Sequence, residues 1–255
     1  MINQLKSEKN KIVFALNGIS TEFANAIRRS IYEIPVLAID EVEISRNDSA
    51  LYDEILAHRL GLVPLKTDKK TFTLISECSC KGKGCTKCTA SLVLKAKGPG
   101  IVYVSDLKSK VVSPVYPEMP LVTLQKDQEL ELVADARLGF GKNHVKWTPG
   151  IIWFRAYPKI EITKDAEQCK ECLDVCPQKV YAFDKKLTVQ NLGACDLCEA
   201  CVEKSNGIKI SSSDEDFIFY VESFGQISPK EIILESLDII DKNMSQLDKE
   251  VNKIK

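Results

Sequence analysis

The ten cysteines of this 255-residue chain fall in three tight groups, at positions 78–88, 169–176 and 195–201. That grouping constrains the fold more than any other feature. A disulfide framework staples distant parts of a small secreted domain, whereas thiols crowded a few residues apart suit ligation of a metal ion or cluster in a reducing compartment. No run approaches the roughly 20 apolar residues that span a bilayer. The amino-terminal residues are polar, unlike a signal peptide. A soluble, cytoplasmic protein with no membrane contact is expected.

Between residues 165 and 207 six of the cysteines sit among short segments, too few residues for an ordinary core, so ligation has to supply stability there. Two runs are visible. Cys169, Cys172 and Cys176-Pro177 match the second, third and fourth ligands of the two-cluster ferredoxin pattern C-x2-C-x2-C-x3-C-P, with Ala166 where the first should stand. Cys195, Cys198 and Cys201 match the first three ligands, with Ser205 at the fourth. In such ferredoxins the fourth cysteine of each run ligates the other cluster. The resemblance therefore implies one complete site, Cys176 with Cys195, Cys198 and Cys201, able to hold a [4Fe-4S] cluster that can also be isolated as [3Fe-4S]. The other site would be left with Ala166, Cys169, Cys172 and Ser205, and should be empty. A zinc knuckle or two disulfides are the alternatives; the triple C-x2-C-x2-C and the Cys-Pro step speak against them, because tetrahedral zinc sites usually take cysteines in pairs. Cys169 and Cys172 could be a redox pair, a disulfide or two free thiols, and carry no assigned function.

The remaining group, Cys78, Cys80, Cys85 and Cys88, places four thiols around Gly82 and Gly84, which permit the tight turns of a tetrahedral site. A closed four-thiolate set leaves no coordination position for water, so a structural zinc is expected rather than a catalytic one. Two disulfides or an unoccupied vestige are the alternatives. The two histidines, His58 and His144, lie far apart in sequence and read as surface or packing residues. No phosphate-binding glycine loop, dinucleotide fingerprint or magnesium-binding acidic triplet occurs, so no catalytic residue is assigned.

Charge adds a second exclusion. Lys and Arg number 35 against 36 Asp and Glu, a net charge of −1, so no global field draws the chain to nucleic acid. Residues 11–16 read as a strand, and Thr21 as the cap of a helix in which Phe23, Ile27 and Ile31 recur. Residues 36–44 read as a strand and 50–60 as a short helix. Strand signals then dominate at 71–75, 91–96, 101–104, 121–124, 130–136 and 151–157, and again at 208–210 and 217–222 around an acidic turn at 211–216. From Pro229 the apolar residues Ile233, Leu237, Ile240, Met244, Leu247, Val251 and Ile254 recur at steps of four and three. A helix of about 26 residues would be roughly 39 Å long, more than one face of a small domain needs, so its far end is expected to meet another chain.

Three blocks carry a family resemblance. The run from Phe23 to Ile31 through Arg28 and Arg29, with Ile34-Pro35 and Ala38 to Ile44, resembles the amino-terminal signature of RNA polymerase alpha-type subunits. The run from Ile55 to Leu65 is similar to the next block of the archaeal and eukaryotic branch, and Gly139-Phe140-Gly141 through His144 to Pro149 to a third. The cysteine-bearing insert narrows the likeness to the archaeal D-subunit branch. The resemblance implies an α+β protein with an alpha-subunit-like dimerisation domain at 1–40 and 223–255. It also implies an inserted β-rich domain at 41–164 and 208–222, and a small ferredoxin-like iron-sulfur module at 165–207. The implied function is that of a non-catalytic assembly subunit of the DNA-directed RNA polymerase, a nucleotidyltransferase. It would pair with the small L subunit as the platform for N, P and the large catalytic subunits, and meet DNA and RNA only through the assembled complex. Arg28 and Arg29 would lie at a subunit interface, and the cluster would stabilise assembly or sense it. The competing reading is a ferredoxin-like electron-transfer subunit of an oxidoreductase.

Overall fold

A computed structural model describes residues 2–68 and 71–254. Two compact units share the chain. One contains Ile12–Ala26 and Trp153–Tyr220 with the amino-terminal strand; the other contains Glu8–Lys11, Ile27–Ile152 and the chain from Val221 onward.

The first unit is built on a four-stranded sheet in the order β1 (Ile2–Ser7), β2 (Lys11–Asn17), β11 (Ile208–Ser223) and β8 (Gly150–Ile162). β1 and β2 form an antiparallel hairpin running from Ile2 opposite Leu16 to Ser7 opposite Ile12, with a bulge between Gln4 and Lys6. Phe14 stacks on Phe219 across the sheet at 5.4 Å, and Trp153 on Tyr220 at 5.3 Å. β11 corrects the expected pair of strands around an acidic turn. The polar stretch stays in the strand because Ser213 Oγ donates to Asp216 Oδ2 at 2.7 Å, while the Gly18 and Ile19 amides donate to Asp216 Oδ1 and the Glu215 carbonyl. Between β8 and β11 lies the cysteine-rich module, with helix α3 (Glu171–Val175) and the hairpin β9 (Tyr181–Asp184) and β10 (Lys186–Val189). Its small core joins Ala166, Cys172, Val180, Tyr181, Leu187, Cys195, Cys201 and Ile208.

In the second unit β7 (Glu129–Gly139) lies between β3 (Val36–Asn47) and β4 (Thr89–Lys97), antiparallel to both. Its residues alternate half-buried and buried along nearly the whole strand, the signature of a sheet with one face on a core. Leu130, Leu132, Ala134 and Ala136 face that core with Leu37 and Ile39 of β3 and Leu92 and Leu94 of β4. Helix α2 (Asp53–Gly61) covers it with Leu56 and Leu60, four residues apart on one helix face. β5 (Gly100–Tyr103) and β6 (Pro120–Leu124) form a separate hairpin. The expected strand at 71–75 is absent: the Thr71 amide turns back to Asp68 and the Thr73 amide is taken by the Lys87 carbonyl, which ties the segment to the cysteine loop.

Helix α1 (Thr21–Ser30) begins one residue beyond its cap. Ser20 Oγ, not Thr21, accepts from the Phe23 amide at 3.3 Å. Helix α4 (Pro229–Val251) starts with a reciprocal cap, in which Ser228 Oγ accepts from the Glu231 amide and Glu231 Oε2 from the Ser228 amide. It spans 23 residues, so Ile254 falls beyond it. Its deepest residues are Ile232 and Ser236, whereas Ile233 and Ile240 of the expected seam are half-buried and Leu237 is exposed. Met244, Leu247 and Val251 are 60%, 55% and 52% exposed, leaving the far end without apolar cover in this chain.

Candidate metal and cluster centres

The four sulfurs of the loop between α2 and β4 come together. Cys78 Sγ lies 3.5 Å from Cys85 Sγ, Cys80 Sγ 3.6 Å from Cys88 Sγ, and Cys85 Sγ 3.8 Å from Cys88 Sγ. None is in a disulfide. A zinc ion at about 2.3 Å from each of four tetrahedral thiolates sets their sulfurs roughly 3.8 Å apart, so the spacing suits one small ion and is far too long for an S–S bond of about 2.05 Å. The turns that produce it are tight: Lys81, Gly82 and Gly84 all have positive φ, and the Lys81 and Lys83 amides return to the Cys78 and Cys80 carbonyls. The cysteines also differ in acidity. Desolvation opposes ionisation of Cys80, but hydrogen bonds from Cys78, Cys88 and the Gly84 and Gly82 amides bring its thiol down to about 7. Cys78 is pushed up to about 11: the Cys80 amide favours its thiolate, but burial and the Cys85, Cys80 and Cys88 thiols outweigh it. The loop has a four-cysteine group that could bind a metal.

In the module the structure brings Cys176, Cys195, Cys198 and Cys201 to the wall of one small pocket, which Val180, Tyr181, Asp196 and Ile210 complete. These four cysteines are also free of disulfides. Among the described residues the Cys78 group is the one gathered closely enough to hold a single ion. Four free thiols on one pocket wall supply the donor number and type that a four-thiolate group requires. The cavity is polarised toward its sulfurs. The Val180 amide donates to Cys176 Sγ at 3.4 Å, and the Tyr181 hydroxyl lies 3.1 Å from Cys201 Sγ. Burial first, then the Cys201 hydrogen bond and the nearby thiolates, hold the Tyr181 phenol far above its ordinary pKa, so it keeps its proton. Burial likewise raises the Cys195 thiol, and at Cys198 burial and Asp196 outweigh the favourable Ala200 amide.

The rest of the expected second site has another structure. Cys169 and Cys172 are joined in a disulfide, Cys172 and Ala166 are fully buried in the module core, and a Cβ on Gly207 would meet the Ala166 Cβ at 2.8 Å.

Two contacts were invisible in the sequence. Tyr181 is 20 positions from Cys201, and Arg155 on β8 reaches 38 and 40 positions ahead to donate to the Gly193 and Cys195 carbonyls, with its Nε on Tyr220 Oη at 2.9 Å. No local spacing announces either. The two histidines also come together, lining one pocket with Asp40 and Lys146. There His144 Nδ1 accepts from the Lys146 amide at 3.1 Å, and Lys146 Nζ pairs with Asp40 at 2.7 Å. Trp147 lies against Gly139, where a Cβ would meet its ring at 2.4 Å, and donates to the Arg137 carbonyl at 3.1 Å. Arg28 and Arg29 occupy the last turn of α1, half-buried and exposed respectively, and complement the negative end of the helix dipole. Among the described residues no helix is long and apolar enough to cross a membrane.

Residues 42–153 match the model of the RNA polymerase Rpb3/RpoA insert domain. The chain is 41% identical over 247 residues to the DNA-directed RNA polymerase subunit Rpo3 of Methanothermobacter thermautotrophicus, covering 93% of each. Against the Rpo3 subunit of Methanosphaera stadtmanae it is 37% identical, covering 97% of each, and against that of Archaeoglobus fulgidus 35% identical, covering 99% of this chain and 98% of the relative. Identity of 35–41% to these relatives over nearly the whole length shows the family: the chain belongs to the Rpo3 family of archaeal DNA-directed RNA polymerase subunits.

Proposed function

We propose that the chain is the non-catalytic assembly subunit of an archaeal DNA-directed RNA polymerase, pairing with the small L subunit to form the platform for N, P and the large catalytic subunits. The observation that carries this is the nearly full-length likeness to Rpo3 subunits. That likeness also favours a polymerase subunit over a ferredoxin-like subunit of an oxidoreductase. The dimerisation domain is assigned to residues 1–40 and 223–255, and the inserted β-rich domain to 41–164 and 208–222. Arg28, Arg29 and the apolar row Ile233, Leu237, Ile240, Met244, Leu247 and Val251 are assigned to subunit contacts. What supports this is the exposure of Met244, Leu247 and Val251 at the far end of a capped helix whose buried residues all lie in its first turns. DNA and RNA are met only through the assembled complex.

The module 165–207 is assigned one [4Fe-4S] cluster on Cys176, Cys195, Cys198 and Cys201, isolated as [3Fe-4S] when one iron is lost, and the loop 78–88 a structural zinc on Cys78, Cys80, Cys85 and Cys88. In both cases the donor set supports the reading: free thiols in contact suit one ion, and four free thiols on one pocket wall supply the donors of a four-thiolate cluster. The cluster would staple a segment whose own core is small, and so stabilise or report assembly.

The test is capture of the tagged full-length chain from native extract. A polymerase subunit brings down a small partner, large subunits and nucleotide incorporation on a DNA template. Capture of an oxidoreductase with reversible electron transfer to the module, and no polymerase subunits, would contradict it.

A further inference from the structure

Around the four module cysteines, two side chains that ligate nothing themselves are aimed at the ligand-bearing backbone and sulfur. The Tyr181 ring is buried in the module core and its hydroxyl is 3.1 Å from Cys201 Sγ. A thiolate ligand has only lone pairs to offer, so between a phenol and a ligating Cys201 the phenol must donate. Arg155 sits on β8, outside the cysteine runs. Its guanidinium donates to the Gly193 and Cys195 carbonyls and its Nε to Tyr220 Oη, while its Cζ lies 5.7 Å from the Tyr220 ring centre. Two carbonyls gripped by one rigid fork fix the turn that presents Cys195.

We propose that Tyr181 and Arg155 are positioning residues of the cluster site: Tyr181 donates a hydrogen bond to the Cys201 thiolate and raises the cluster's reduction potential, and Arg155 clamps the Cys195 turn and slows iron loss. This rests on the cluster reading above. The direction follows from charge. A proton shared with a ligand sulfur withdraws electron density from it, and reduction adds one negative charge, so the hydrogen bond strengthens in the reduced form and favours it. The guanidinium acts mainly on geometry, because its donors are committed to backbone carbonyls rather than to sulfur.

The experiment uses the full-length chain, reconstituted anaerobically with ferrous iron and sulfide, as wild type, Tyr181→Phe and Arg155→Lys. Electron paramagnetic resonance during a titration with dithionite, the one-electron donor, gives the midpoint potential; transfer of iron to bathophenanthroline gives the rate of loss. Poised at the wild-type midpoint, Y181F should show a reduced-to-oxidised ratio lower by about fivefold, the effect of one modest hydrogen bond. R155K keeps the charge but loses the fork, so its midpoint should stay near wild type while iron is lost about tenfold faster. Wild-type behaviour of either variant on its own readout overturns the proposal. If Y181F does not fold, 3-fluorotyrosine at position 181 takes its place. Its more acidic hydroxyl must move the midpoint upward, and an unmoved midpoint overturns the proposal equally. A wild-type chain that takes up no iron contradicts the cluster reading itself, whereas a loaded wild type with indifferent variants contradicts only the roles of Tyr181 and Arg155.

Discussion

The loop at 78–88 and the module at 165–207 each gather four free cysteines, yet they do so by different means. In the loop, positive-φ turns at Lys81, Gly82 and Gly84 fold a short segment on itself until sulfurs stand 3.5 to 3.8 Å apart. In the module the four cysteines come from two runs, line one small pocket, and are contacted by Arg155 of β8 and Tyr181 of β9. Local turn chemistry brings the loop sulfurs into contact, whereas the module pocket takes its walls from residues distant in sequence. The two centres should therefore respond differently to substitution.

The largest effect should come from the module. Replacing Cys195, Cys198 and Cys201 together with serine should abolish iron binding, loosen the segment around Ala166 and Leu187, and lower the melting temperature of the complex with the small partner. Iron analysis and calorimetry check this; unchanged complex formation and melting would refute the stabilising role. Next comes Cys88→Ser. Structural zinc supplies about 10–16 kcal/mol of apparent binding free energy in zinc-finger peptides, so losing one ligand should release the ion and unfold the loop, seen as lost zinc and rapid amide exchange across residues 73–88. The β4–β7 ladder should keep its protection, because its core does not include these sulfurs.

Smaller effects fall on the helix and the sheet. Leu247→Asp should leave the stability of the isolated chain within about 0.5 kcal/mol, since the residue is 55% exposed, yet weaken binding to the small partner by tenfold or more. Equal affinity in a titration would remove this helix from the interface. Gly139→Ala should cost about 1–3 kcal/mol in denaturant unfolding, because the new methyl would meet the Trp147 ring at 2.4 Å. A neutral result would show that Trp147 can move without loss.

Much of this was written locally. The alternation along β7 and the Pro-led start of α4 are short-range signals that the fold obeys. β1 was illegible because all six of its residues are exposed, so no burial pattern is imposed on them. The β-branched run at 71–75 failed as a strand because its amides are claimed by Asp68 and Lys87. At the candidate cluster site the four cysteines could be named from spacing and resemblance, but Tyr181 and Arg155 could not, since their contacts depend on how β8 and β9 meet the cysteine runs. The pairing of Cys169 with Cys172 was one of several outcomes open to adjacent thiols, and the structure selects it.

The contrast between the two centres is tested most directly by counting iron, acid-labile sulfide and zinc in the full-length chain purified without oxygen. The account predicts four iron and four sulfide, or three iron where one has been lost, together with one zinc per chain. Zinc in both centres, or iron absent after anaerobic purification and reconstitution, would contradict it.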